Sequence, residues 1–144
     1  MLGFLAALLT GLLAGAMLVI GVVLVPFWQE LPPAEFRAWF AAHWVRIGAL
    51  MFPLGVASVL ATFAALVPNR SGPNRMSYTV AFAAALAVVI ITITINEPAN
   101  IRFAAPGGLS DAETITLLAN WKVWHWIRVT LGLVAFAASL KAGQ

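Results

Sequence analysis

Cysteine is absent from this chain, and charge is scarce. Without a thiol there is no disulfide, no thiolate zinc site and no iron–sulfur cluster, and the redox compartment leaves no mark. Only 9% of the 144 residues are charged and 62% are hydrophobic. Soluble domains carry about 25% charged residues, so a soluble fold is excluded. Net charge +3 and a pI of about 10.2 would suit a nucleic-acid partner. The eight basic residues stand singly or at the edges of apolar stretches, however, and with no basic run nucleic-acid binding is rejected. Nor does Glu-x-x-His occur, which speaks against a carboxylate-bridged di-iron site.

What fills the chain instead is apolar sequence long enough to cross a hydrocarbon core of about 30 Å four times. The expected fold is all-α: one transmembrane domain spanning 1–144, an up-down-up-down four-helix bundle with helices at about 2–27, 35–67, 76–96 and 111–140. The first stretch lacks a basic leader and exceeds the ~7–15 apolar residues of a signal peptide, so it reads as a retained helix. It carries Ala7, Gly11 and Gly15 at four-residue spacing, a register in which small residues let another helix approach closely. It is expected to stop at Pro26-Phe27-Trp28, and Pro32-Pro33 to precede the second helix. Pro53 marks an expected kink. Asn96-Glu-Pro-Ala-Asn100 reads either as a helix stop or as a cluster of amides and a carboxylate. Ser110-Asp-Ala-Glu113 has the form of a capping box opening the fourth helix. Arg70, Arg75 and Lys141 against Arg37 and Arg102 favour both termini in the cytoplasm of a multi-pass protein of the cell (inner) membrane.

One pattern occurs twice: Trp39-x-x-x-His43-Trp44-Val-Arg46 and Trp121-x-x-x-His125-Trp126-Ile-Arg128. The copies contain both histidines of the chain, and Trp124 falls inside the second. Positions i, i+4 and i+7 share a helix face, so each copy presents a Trp-His-Arg stripe. Two hairpins related by a pseudo-twofold axis would bring the histidines face to face, although Pro26 and Pro98 keep a different spacing. Interfacial Trp and snorkelling Arg could produce two such octets without any site. Depth separates the copies. Only residues 129–140 lie between Arg128 and Lys141, about 18 Å of helix, which places Arg128 inside the hydrocarbon. Arg46 can reach an interface. An ionisable residue within a membrane span is a functional candidate by default.

Several chemistries suit two His, two Arg, Trp and Asn. Paired imidazoles His43 and His125 could hold b-type haem, with Arg on the propionates, and imidazole also suits copper. Without any cofactor, His could act as a base beside Arg as anion stabiliser, on an aromatic substrate held by Trp.

Asn96-x-Pro98-x-Asn100 followed by Trp121-x-x-Trp124-His125-x-x-Arg128 resembles the DUF1772 family of small four-helix membrane proteins, which includes anthrone oxygenase-like members. The similarity covers nearly the whole chain. It implies oxygen insertion into an activated aromatic CH₂ with no metal required. His125 or His43 would take the proton and Arg128 would stabilise the oxyanion. Asn96 and Asn100 would orient an aromatic or quinone-like substrate, within a pocket bounded by Arg46, Asn96, Trp121 and Arg128, with Trp124 beside it. Haem-based electron transfer is the second reading. The third is a non-enzymatic subunit that joins a homo-oligomer or larger membrane complex through the Gly11/Gly15 face.

Overall fold

The computed structural model describes residues 1–143 and is all-helical there. Four helices are each long and apolar enough to cross a membrane: α1 (Leu2–Glu30), α2 (Pro33–Asn69), α3 (Arg75–Ala104) and α4 (Asp111–Ala142). They form a ring in which α1 packs on α2 and α4, and α3 packs on the same two helices. Large apolar side chains such as Phe4, Leu12, Val45, Leu60 and Ile115 point outward and are more than half exposed, as lipid-facing positions of a small bundle require.

Two expected helix ends are corrected. α1 runs past Pro26 to Glu30, and α3 runs past Asn96 and Pro98 to Ala104. In each, a five-residue π-helical turn precedes the proline, at Ile20–Leu24 and at Thr92–Asn96. Proline lacks an N–H and its ring collides with the carbonyl four residues back. A π turn bonds five residues back instead, so the wider loop admits the ring without ending the helix. Pro26 and Pro98 then sit in the first turn of the resumed α-helix, where a missing N–H costs least. α2 likewise continues uninterrupted through Pro53. The capping box is present, with Glu113 N–H donating to Ser110 Oγ and Ser110 N–H to Glu113 Oε2. Nearby, Arg37 on α2 pairs with Asp111 at 3.0 Å and donates to Thr114, tying the first turns of α2 and α4 together.

Small residues set the close approach of α1 and α4. A Cβ on Gly11 would lie 2.9 Å from the Phe136 ring, and one on Gly132 would run into the Met17 methyl group. Gly11 therefore serves packing within the chain, which corrects its assignment to a partner-docking face; only Gly15 opens onto free space.

Candidate functional site

At one end of the bundle the interhelical space is filled by rings. Trp28 on α1 contacts Trp39 and Phe40 on α2 and Trp121 on α4, with centroids 5.5–5.7 Å apart. Phe103 of α3 closes the group against Phe36 and Phe40. Beneath this cluster a cavity of about 390 Å³ opens, within the ~300–1,000 Å³ range of small-molecule sites. Most of its lining is apolar or aromatic, including Met17, Trp28, Phe40, Trp44 and Trp121. The polar lining residues are few: Thr92, Glu97, Asn100 and Arg128.

Arg128 is 7% exposed, near the middle of a 32-residue helix. One terminal nitrogen donates to Thr92 Oγ1 at 3.0 Å and the other to His125 Nδ1 at 2.8 Å. The guanidinium also lies 5.5 Å from the Trp121 ring. Its Nε is buried without a partner, and so is the indole Nε1 of Trp28. Among the described residues Arg37–Asp111 is the only ion pair, so Arg128 has no carboxylate against it. A buried cation whose hydrogen bonds all go to neutral groups is costly, and Glu97, which lines the same cavity without contacting it, offsets only part of the desolvation.

His125 is fully buried. Guanidinium has donors only, so Nδ1 must accept, and the remaining proton sits on Nε2 and donates to Met17 O at 2.9 Å. The ring stacks on Trp121 at 4.8 Å and rests against Gly21, where an added Cβ would come within 3.3 Å of Nε2. With both nitrogens engaged, His125 acts as a strut between α1 and Arg128.

A second chain of contacts also reaches the cavity. Trp121 Nε1 donates to Asn100 Oδ1 at 2.9 Å, and Asn100 Nδ2 donates to Glu97 Oε2 at 3.0 Å. Glu97 and Arg128 line one cavity without forming an ion pair with each other. Together they offer a carboxylate and a guanidinium to one aromatic-walled space.

The structure unites part of the expected set and separates the rest. Arg128, Trp121 and Asn100 line the cavity. Arg46 is exposed and lies outside the cavity lining, which corrects the expected boundary. Its place in the wall is taken by Trp44, Ile47 and Gly48 of the same helix. Asn96 is fully buried behind the wall, with Nδ2 3.5 Å from Trp121 O, and Trp124 is half-buried away from it. His43 is half-buried, stacked on Trp39, and bonded through Nδ1 to the Trp39 carbonyl of its own helix. Neither imidazole lines the cavity. The expected face-to-face histidines are therefore not formed, and the axial nitrogens that bis-histidine haem would need are not aimed into one space.

Thr92 and Trp28 belong to the site beyond the residues singled out from sequence, and Glu97 enters it as the carboxylate of the Asn96–Asn100 cluster. Thr92 and Glu97 are five positions apart, which on an α-helix diverge; the π turn between them spans five residues and brings them to one face. Trp28 occupies on α1 the place after its proline that Asn100 occupies on α3. Both pack on the first Trp of the following helix, Trp28 on Trp39 and Asn100 on Trp121.

No curated protein and no solved structure matches the chain. The sequence profile of one family, described as anthrone oxygenase, matches residues 36–138. That stretch holds both Trp-His-Arg stripes, the π turn of α3 and every polar residue of the cavity. The chain is an integral membrane protein of the anthrone oxygenase family.

Proposed function

We propose that the cavity binds a flat, lipid-soluble aromatic ketone and oxidises its activated CH₂ with O₂, as the family description suggests. The observation that carries this reading is the buried Arg128 guanidinium, unpaired by any carboxylate among the described residues and lining the same aromatic-walled cavity as Glu97. A ligand oxygen in the cavity meets the Arg128 guanidinium, a charged donor that no carboxylate contacts among the described residues.

The chemistry follows from the placement. Glu97 takes a proton from the CH₂ beside the ring system, and the charge moves onto the ketone oxygen as an enolate. Arg128 stabilises that oxyanion in a water-poor site, where a preoriented cation is most effective. The enolate carbon passes an electron to O₂, the two radicals combine to a hydroperoxide, and loss of water leaves a second ketone. One CH₂ and one O₂ thus give one C=O and one H₂O. His125 holds Arg128 from behind, and Trp121 with Asn100 holds Glu97. Asn96 fixes the α3–α4 contact rather than the ligand. In this reading both termini face the cytoplasm of the cell membrane, with the site toward the opposite face.

The test is oxygen uptake by the protein in lipid nanodiscs supplied with anthrone. Uptake above the spontaneous rate, matched mole for mole by anthraquinone and lost in Glu97→Gln, is expected. Uptake no faster than in empty nanodiscs would overturn it. A dithionite-reduced spectrum with sharp α and β bands would move the assignment to haem electron transfer.

A further inference from the structure

The cavity is not closed on all sides, and its open side faces lipid. On α2, Val45 and Phe52 line it while remaining 63% and 58% exposed. Gly48 lies between them on the same face and is also exposed. On α3, Ile93 lines it and is 53% exposed. The α1 and α4 lining residues Leu13, Met17, Trp121 and Arg128 are all buried. The space therefore runs from the outer seam of α2 and α3 inward to the guanidinium.

The chemistry of the rim identifies the medium outside. All four rim residues are apolar. Gly48 is the second residue of the uncharged run 47–69 of α2, just inside Arg46, with Phe52 about one turn deeper and Val45 beside Arg46. About twenty apolar residues cross a core of about 30 Å, so the gap opens at the hydrocarbon edge of the leaflet on the Arg46 side. A molecule arriving there comes from the acyl chains, not from water. At the inner end it meets a built donor, the guanidinium of Arg128, a cavity-lining residue more than nine-tenths buried.

Gly48 sets the width of this opening. A Cβ built on it would meet nothing within 4 Å, so neither helix packing nor backbone conformation requires glycine there. Glycine is among the poorest helix formers. What its missing side chain leaves is open space at the rim.

We propose that the ligand passes sideways out of the bilayer into the cavity between α2 and α3, through a gap framed by Val45, Gly48, Phe52 and Ile93, with Gly48 admitting flat polycyclic aromatics. This rests on the cavity being the ligand site, and the test separates the two. Menadione, a lipid-soluble quinone that quenches indole fluorescence, is mixed by stopped flow with the protein in phosphatidylcholine nanodiscs. Trp28, Trp44 and Trp121 in the cavity wall report its arrival. Gly48→Phe fills the gap from α2 and Ile93→Phe from α3, while Gly15→Phe adds equal bulk at an exposed α1 site that also has open space.

The expected result is that Gly48→Phe and Ile93→Phe slow association and dissociation together, each at least tenfold. Gly15→Phe should match the unsubstituted protein. Association at the unsubstituted rate in both rim variants would overturn the lateral route. A faster dissociation alone would do the same, since it marks a contact residue and not a passage. Absence of saturable quenching in the unsubstituted protein would instead remove the ligand site itself.

Discussion

Replacing Arg128 with leucine should separate binding from stability, because the guanidinium is a poor structural element and a good ligand group. In the native bundle it makes two hydrogen bonds to neutral partners, Thr92 Oγ1 and His125 Nδ1, and no ion pair among the described residues. Losing them leaves His125 Nδ1 buried and unsatisfied, at a cost of about 1–3 kcal/mol. Against this stands the removal of a buried charge that has no ion-pair partner (Glu97 lines the same cavity without contact) and whose desolvation cost is several kcal/mol. Thr92 Oγ1 keeps its bond to the Val88 carbonyl at 2.7 Å either way. The midpoint of thermal unfolding in detergent should therefore stay level or rise. Ligand affinity should fall, since a hydrogen bond from a charged donor contributes about 1.5–3 kcal/mol, or roughly 10- to 150-fold in Kd. Quinone titration of indole fluorescence alongside a thermal melt reads both quantities. A variant that binds as before, or one that unfolds while its ligand-free fold should not need the charge, would refute the reasoning.

Four further substitutions probe the same geometry. His43→Ala should leave menadione affinity within about twofold in the fluorescence titration, because His43 stacks on Trp39 outside the cavity. His125→Ala should not be so tolerated. Gly21→Val should push the His125 ring off α1, since even a Cβ stands 3.3 Å from it; overpacking of this kind costs about 1–3 kcal/mol and a lowered thermal midpoint. Trp121→Phe keeps a ring beside His125 but removes the donor to Asn100. Losing that bond, about 1 kcal/mol, should lower anthrone turnover more than anthrone affinity, as a positioning role for Asn100 and Glu97 requires.

Much of the bundle was legible because lipid imposes a simple rule: long uncharged runs are helices, and their count gives the topology. The short distance from Arg128 to Lys141 implies that Arg128 lies inside the hydrocarbon, and the side chain is buried within the bundle. The helix ends were not legible. Pro26 and Pro98 read as stops, and only three-dimensional packing shows that a π turn before each lets the helix continue. That turn also shifts the register of α3, so Glu97 reaches the cavity on the face of Thr92 while Asn96 turns to α4. The doubled Trp-His-Arg pattern is a likeness of sequence that packing uses unequally. Its second copy sits on α4 against Gly21 and Met17, with room for a buried imidazole. Its first sits near the bundle's outer edge, where Arg46 is exposed and His43 half-buried. Helical periodicity gives which residues share a stripe but not how the helix is rotated toward its neighbours.

Labelled oxygen gives the most direct test. Anthrone is incubated with the protein in nanodiscs under ¹⁸O₂, and the anthraquinone is weighed by mass spectrometry, with Arg128→Leu and Glu97→Gln in parallel. An oxygenating cavity predicts that the new ketone carries one labelled atom from O₂ and that product above the spontaneous background disappears in both variants. Product formed equally well by both variants, or a new ketone oxygen drawn from water, would contradict it.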